Sequence, residues 1–228
     1  MTQFPALIYA AGKGTRMGAL TQHQPKPMVS VAGRPLIDHA LDLIDQVTVR
    51  KCVVNVHYMA DQLRQHLGAR SIVFSDETDL LRETGGGLKY AQPLLGGSPV
   101  MTLNSDAVWA GPNPLQRLID TWDDKMGALL LMVPPANVHG HKGQGDFHIA
   151  PDGRLTRGAG HVYSGAQIIR TDLLDQIQDT VFSTNVLWDL IADQGGLYGV
   201  SYDGHWCDVG QPSSIPVAEK MLKDHVHV

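Results

Sequence analysis

Short apolar runs rich in Val, Ile and Leu alternate along this chain with stretches whose apolar residues recur at helical spacing. Such alternation predicts βαβ units and an α/β fold with a mostly parallel sheet. The run from Ala6 to Ala11 (ALIYAA) has the length of a strand and leads straight into glycine. After a long polar loop, Leu36, Ile37, Ala40, Leu41 and Ile44 share one helical face behind Pro35, whose missing N–H costs nothing at a helix start. CVVNVHY then predicts a strand, MADQLRQHLG a helix closed by Gly68, SIVFSDE a third strand, and TGGGLKYAQPLLGG a helix opened by glycines. PVMTLNSD reads as a strand ending in Asp106, PLQRLIDTWDDK as a helix, and GALLLMVPP as a strand stopped by two prolines.

Near residue 136 the texture changes. DFHIAPDGRLTR places two short extended pieces around an Asp-Gly turn signal and predicts a hairpin, and HVYSGAQIIR follows as a strand. TNVLWDLIADQG is an amphipathic helix, LYGVSYDGHWCDVG reads as a second hairpin, and PSSIPVAEKMLKDH as a last helix. No repeat, low-complexity tract or linker interrupts the pattern. One domain over 1–228 is therefore expected, with a core at 1–135 and a subdomain at 136–228 built onto the same sheet.

Composition narrows the ligand classes. At 228 residues and 43% hydrophobic content the chain can bury a sizeable core. Its formal net charge of -5 argues against general affinity for nucleic acid or an anionic membrane, so any phosphate must be met locally. Cys52 and Cys207 fall in no CxxC spacing, and no run approaches the length of a membrane span. The N-terminal stretch lacks a basic leader, so a cytoplasmic location is expected.

Ligands of open α/β sheets collect where strands end, which directs attention to AAGKGTRMGALTQHQPKP. Gly12 and Gly14 let the backbone turn tightly and present N–H groups to an anion, with Lys13, Arg16 and Lys26 supplying positive charge. A triphosphate suits that arrangement. An isolated G-x-G is as often a plain glycine turn, and the spacing here, with glycines at 12, 14 and 18, departs from the dinucleotide fingerprint.

AAGKGTRM followed by PKPMVSVAGRPLI resembles the signature of the sugar-1-phosphate nucleotidyltransferase family, and LNSDAVW and WCDVGQP recur in that family's order. Within it, the compact length, ETGGG, GDF with its DG hairpin, YSG and WCDVGQP are similar to bacterial N-acetylmuramate-1-phosphate uridylyltransferases. The resemblance implies a Rossmann-like three-layer α/β/α fold of the nucleotide-diphospho-sugar transferase type. It also implies transfer of a nucleoside monophosphate from a triphosphate, UTP, to N-acetylmuramic acid 1-phosphate with release of pyrophosphate, a step of peptidoglycan recycling. Residues 1–135 would bind the nucleotide and 136–228 the sugar, in a monomer or small homo-oligomer.

By the same resemblance Arg16 would hold the triphosphate and Lys26 the phosphates at the reaction centre. Fixed cations there stabilise charge developing as pyrophosphate leaves. The attacking phosphate oxygen is already ionised, so no general base is needed. Asp106 and Asp208 are the candidate ligands of magnesium, with manganese as a substitute, which would reduce repulsion between the two anionic substrates. For either aspartate alone a cap or strand-end turn is the commoner role; the matching motifs reverse that. Ala10, Ala11, Gly12, Lys13, Gly14, Thr15, Glu83, Thr84, Gly86 and Gly87 are implied on the nucleotide side, although TGGG is equally a mobile helix-start loop. Asn104, Gly145, Asp146, Tyr163, Ser164 and Gly165 are implied on the sugar side.

Two positions depart from many relatives, Ser105 in place of Gly and Ala19 in place of Pro, and the acidic residue of a Glu-Lys-Pro motif is missing after the hairpin. His139, His141 and His148 read as incidental surface residues, and the four tryptophans as packing. Guanylyl transfer to mannose 1-phosphate is the second reading. A nicotinamide-dependent oxidoreductase would need an acidic residue where His57 and Tyr58 stand. A non-catalytic nucleotide-binding regulatory domain would be free to lose Arg16, Lys26, Asp106 or Asp208, and all four are present.

Overall fold

The computed structural model describes residues 3–225. Strand β1 (Pro5–Tyr9) is apolar and enters a segment of one-turn 3-10 structure, Thr15–Thr21 and Lys26–Met28, where the sequence predicts a plain loop. The Thr21 hydroxyl donates to the carbonyls of Gly14 and Gly18 and winds that segment onto itself. A two-residue ribbon, β2 (Ser30–Val31) and β3 (Arg34–Pro35), leads into α1 (Leu36–Asp45), whose predicted apolar face is buried. Strand β4 (Lys51–Val56), α2 (Ala60–Leu67), β5 (Ile72–Asp76), α3 (Glu83–Leu95) and β6 (Val100–Asn104) follow in the order read from the sequence, and β7 (Ala107–Ala110), a strand the sequence reading lacks, comes next. Helix α4 (Pro114–Thr121) starts where the Asn113 side chain accepts from the N–H groups of Leu115 and Gln116, with proline at the first turn. Then come β8 (Ala128–Val133), β9 (Val138–His139), the antiparallel pair β10 (Phe147–Ile149) and β11 (Leu155–Arg157), and the long β12 (Val162–Ile169). Helix α5 (Thr184–Asp193), β13 (Leu197–Ser201), β14 (His205–Asp208) and α6 (Ser214–His225) complete the chain.

Seven strands form the main sheet in the order β13-β8-β12-β6-β1-β4-β5. All neighbours are parallel except β12, which runs antiparallel to both β6 and β8. One face of the sheet packs against α1, α2 and α4 through Leu41, Leu63 and Leu118, and the other against α3 and α5 through Leu88, Ala91 and Leu187. This is the expected three-layer arrangement. Burial of these apolar faces on both sides of the sheet is its main driving force.

Three sequence-based boundaries need correction, each for a physical reason. β1 ends at Tyr9 rather than Ala11, because the N–H groups of Ala10 and Ala11 are taken by the Asn55 side chain (2.6 and 3.2 Å) and leave the ladder. Asp106 lies in the turn between β6 and β7 rather than on a strand; the Ser105 hydroxyl donates to the Tyr9 carbonyl (2.6 Å) and pins that turn to the end of β1. LYGVSYDGHWCDVG is not a hairpin. β13 joins β8 in the main sheet, whereas β14 crosses into a separate three-stranded sheet, β7-β14-β9.

Candidate active site

That small sheet decides where the carboxylates sit. β14 runs antiparallel to β7 with Asp208 opposite Ala107, and the Val209 N–H donates to the Asp106 carbonyl (2.9 Å). Two aspartates distant in sequence are thus placed on adjoining backbones. Burial pushes the Asp208 carboxyl above its usual range, and the neighbouring Asp106 pushes it further. Lys26, Arg16 and His141 pull it back, in that order of strength.

Lys26 is brought to the pair by the 3-10 turn over Lys26–Met28, and its Nζ donates to Asp106 Oδ2 at 2.6 Å, with only 10% of the side chain exposed. Arg16 is exposed, and its guanidinium lies beside Asp208: a side chain at Gly210 would come within 3.3 Å of Arg16 Nη1 and 3.1 Å of both Asp208 oxygens. The structure therefore brings Arg16, Lys26, Asp106 and Asp208 to one place. Two half-buried carboxylates facing two cations, joined by no third His, Cys, Asp or Glu at metal spacing among the described residues, suit a hard ion that takes one or two protein carboxylates and completes its shell with phosphates and water.

A cavity of about 240 Å³ opens beside Lys26 and Asp106 and is lined by Tyr9, Ala10, Ala11, Gly12, Asn55 and Glu77, with Glu83 and Thr84 across from them. Its floor is a buried polar chain. The Asn55 carbonyl accepts from Ala10 and Ala11 while its amide donates to Glu77 Oε1 (2.8 Å). Glu77 is fully buried, and its Oε2 has no partner among the described residues. Burial shifts this carboxyl toward its neutral form, against the pull of the Asn55 donor. Sequence reasoning missed both residues; the signals were an asparagine inside the apolar run VVNV and a glutamate just past the third strand.

The implied glycines have a different place. Gly86 and Gly87 are buried in the first turns of α3, behind the cavity wall. A Cβ on Gly87 would meet Glu77 Oε1 at 2.9 Å and Asn55 Nδ2 at 3.1 Å, so glycine lets the helix pack onto the polar floor. Glu83 adopts φ 59 at the helix start, an uncommon conformation for a non-glycine residue, directly at the cavity mouth. Lys13, Gly14 and Thr15 lie on the loop outside the cavity lining.

Tyr9, Thr84 and Asn104 also line a second cavity of about 240 Å³, which continues to Asp146, Phe147, Arg157, Tyr163, Gln167, Thr184, Asn185 and Trp188. Asp146 Oδ2 accepts from the Tyr163 N–H (2.8 Å), tying the hairpin of β10 and β11 to β12. Gln167 accepts from Trp188 and donates to Thr102, whereas the Tyr9 hydroxyl and Thr184 Oγ1 are buried without partners among the described residues. Gly165, at φ 84, lies so close to Asn104 that a Cβ would meet its Nδ2 at 2.6 Å. Ser164 donates to the Leu131 carbonyl, and Gly145 packs on Gly160. Of the implied sugar-side residues, then, Asn104, Asp146 and Tyr163 line the cavity, while Gly145, Ser164 and Gly165 stand behind them.

Residues 6–200 match the family described as MobA-like NTP transferase domain. The chain is 38% identical to the N-acetylmuramate alpha-1-phosphate uridylyltransferase of Caulobacter vibrioides, over 98% of this chain and 100% of that protein. It is 31% identical to the protein of the same description from Neisseria meningitidis serogroup B, over 95% and 97%. Among solved structures, HddC from Yersinia pseudotuberculosis complexed with GMP-PN superposes with a TM-score of 0.78 at 20% identity, covering 96% of this chain and 99% of that one, a likeness of fold.

Proposed function

The chain belongs to the MobA-like NTP transferase family, and from that premise we propose that it transfers UMP from UTP to N-acetylmuramic acid 1-phosphate, releasing pyrophosphate. The observation that carries the proposal is the meeting of Arg16, Lys26, Asp106 and Asp208 beside two cavities that share Tyr9, Thr84 and Asn104. One cavity takes the base and the other the sugar, so the reacting phosphates fall at the charged junction. This division gives the nucleotide to residues 1–135 and most of the sugar wall to residues 136–228 of a single domain.

Each group has a stated task. The backbone of Ala10 to Gly12 closes over the base, Glu77 reads its polar edge from the buried floor, and Glu83 and Thr84 bound it from α3. Lys13, Gly14 and Thr15 form the loop along the triphosphate. Arg16 grips triphosphate oxygens in its planar fork, and Lys26, released from Asp106 when phosphates arrive, places a point charge at the α-phosphate. Asp106 and Asp208 would hold Mg2+, or Mn2+ in its place, and the bound ion would screen repulsion between the two anionic substrates. Asn104, Asp146 and Tyr163 orient the sugar so that its ionised phosphate oxygen attacks in line, bringing the gain that positioning gives a bimolecular reaction. The reaction takes place in the cytoplasm, on soluble substrates, in a monomer or small homo-oligomer, and returns cell-wall sugar to use. No helix among the described residues is long and apolar enough to cross a membrane.

The test is a pyrophosphate-release screen crossing four nucleoside triphosphates with N-acetylmuramic acid, N-acetylglucosamine, glucose and mannose 1-phosphates. UTP with N-acetylmuramic acid 1-phosphate should give the highest kcat/KM. A higher value for GTP with mannose 1-phosphate would replace the substrates and leave the reaction standing.

A further inference from the structure

An N-acetylmuramic acid differs from its parent hexosamine by a lactyl ether ending in a carboxylate, and a site that selects it needs a cation or N–H donors for that group. Three cations lie in or near the hairpin over the sugar cavity: Lys142, Arg154 and Arg157. The fold separates them. Lys142 is exposed on the preceding loop and Arg154 turns toward Asp152 (3.6 Å), and neither lines the cavity. Arg157, at the end of β11, does line it, and among the described residues it is the one Lys or Arg that does.

Its guanidinium is held from two sides. The group sits 5.2 Å from the centre of the Phe147 ring and donates from Nη1 to Asn185 Oδ1 (3.1 Å) and from Nη2 to Asp189 Oδ1 (2.7 Å), both on α5. A guanidinium has five N–H donors in a rigid fork, so those two bonds leave Nε–H and a second hydrogen on each Nη for a ligand. Asp189 is 64% exposed and lies outside the cavity lining, so it orients the fork without filling the space in front of it. The other charged side chain in the cavity is Asp146, which suits hydroxyl donors and repels a carboxylate. An acidic substituent on the sugar therefore has one cation to meet in this cavity among the described residues.

We propose that Arg157, oriented by Asn185, Asp189 and Phe147, is the specificity-determining residue that receives a carboxylate carried by the sugar, so that the preferred acceptor is an acidic hexosamine 1-phosphate. The inference rests on the nucleotidyltransferase reading above. It is tested by measuring kcat and KM of the 228-residue chain with UTP and, in turn, N-acetylmuramic acid 1-phosphate and N-acetylglucosamine 1-phosphate, which differ only in the lactyl group. The wild type should favour the acidic acceptor. Arg157→Met should lower the acidic-to-neutral ratio of kcat/KM by about 10- to 100-fold, chiefly through KM for the acidic acceptor, and Arg157→Lys, which keeps charge without the fork, should fall between. Thermal melting of each variant accompanies the kinetics, and the exposed lysine substitution supplies the answer if the methionine variant fails to fold. An unchanged ratio, or an equal loss for both acceptors, would overturn the role of Arg157 while the substrate reading survives. A wild type that uses only neutral sugars would overturn both, and no pyrophosphate release with any pair would remove the reaction itself.

Discussion

At the end of the cleft that holds the two aspartates three charged groups are drawn inward, with Lys26 nearly buried against Asp106 and Asp208 half-buried beside them, while Arg16 stays exposed. At the sugar end the arrangement is inverted: Asp146, Arg157 and Asp189 are exposed, and the polar groups buried below them, Tyr9, Gln167 and Thr184, are neutral. Charge taken out of water is costly unless it is balanced, and it then acts strongly on whatever enters. Charge left in water is screened and holds any one ligand less strongly. Under the proposed reaction, turnover belongs to one end and choice of substrate to the other, so substitutions at the two ends should fail in different kinetic constants.

The largest effects should come from the paired carboxylates. Asp106→Asn and Asp208→Asn should each lower kcat by about 100-fold or more with the fold intact by circular dichroism, and chelation of divalent cations should do the same to the wild type. Full turnover in either variant would remove that residue from the reaction end. The two cations sharpen the division: Lys26→Ala should lower kcat by about 10- to 100-fold, whereas exposed Arg16→Ala should also raise KM for the triphosphate, by about tenfold. Steady-state kinetics that left both constants unchanged in both variants would break the assignment of phosphates to this end.

Glu77 tests whether a buried group can serve choice instead of turnover. Its neutral-leaning carboxyl should act through base identity, so Glu77→Leu should cut the UTP-to-GTP ratio of kcat/KM by about tenfold, with a smaller change for Glu77→Gln, whose amide keeps a polar edge. A fall in kcat with every triphosphate and no change in the ratio would return Glu77 to a structural role. The smallest effect should come from the far end of the small sheet, where His139 Nε2 lies 3.2 Å from His205 Nδ1 and the His225 ring stacks on His205. Burial, with repulsion among the imidazoles, holds His139 and His205 below the usual histidine range. The unfolded chain therefore binds protons first as pH falls below about 6.5, and stability drops through that window until the folded histidines titrate. A melting midpoint lower by about 1–3 °C at pH 5.5 than at pH 7.5 is expected, flattened in His205→Gln.

The four charged groups were legible because they sit in short contiguous motifs, Arg16 in the glycine loop, Lys26 in the PKP segment beyond it, and Asp106 and Asp208 in LNSD and WCDVG, and the structure brings them to one place. Ser105, which stands where many relatives have Gly, fixes the Asp106 turn to β1 through its hydroxyl. The misread segment was LYGVSYDGHWCDVG, because two extended pieces around Asp-Gly look alike whether they pair with each other or with distant strands. Pairing partners are long-range facts, and local patterning carries no trace of them. For the same reason Arg157 could not be told from Arg154 by spacing, and Asn55 looked like a blemish in a strand until its bonds to Ala10 and Glu77 were seen. Gly86, Gly87 and Gly165, implied as nucleotide-side and sugar-side residues, are packed against the protein itself.

The pairing of β7 with β14 has a consequence for a shortened chain. All the residues that line the first cavity, from Tyr9 to Asp106, precede residue 208 on the chain, but the wall at Thr84 and Gly85 is held by Thr184 and Phe182. The Asn55–Glu77 pair and Lys26 lie within that earlier part, whereas the second carboxylate joins Asp106 only when β14 takes its place between β7 and β9. Asp208 therefore joins Asp106 only through this long-range pairing, and a molecule clipped before β14 would keep Lys26 and Asp106 but lack the second carboxylate.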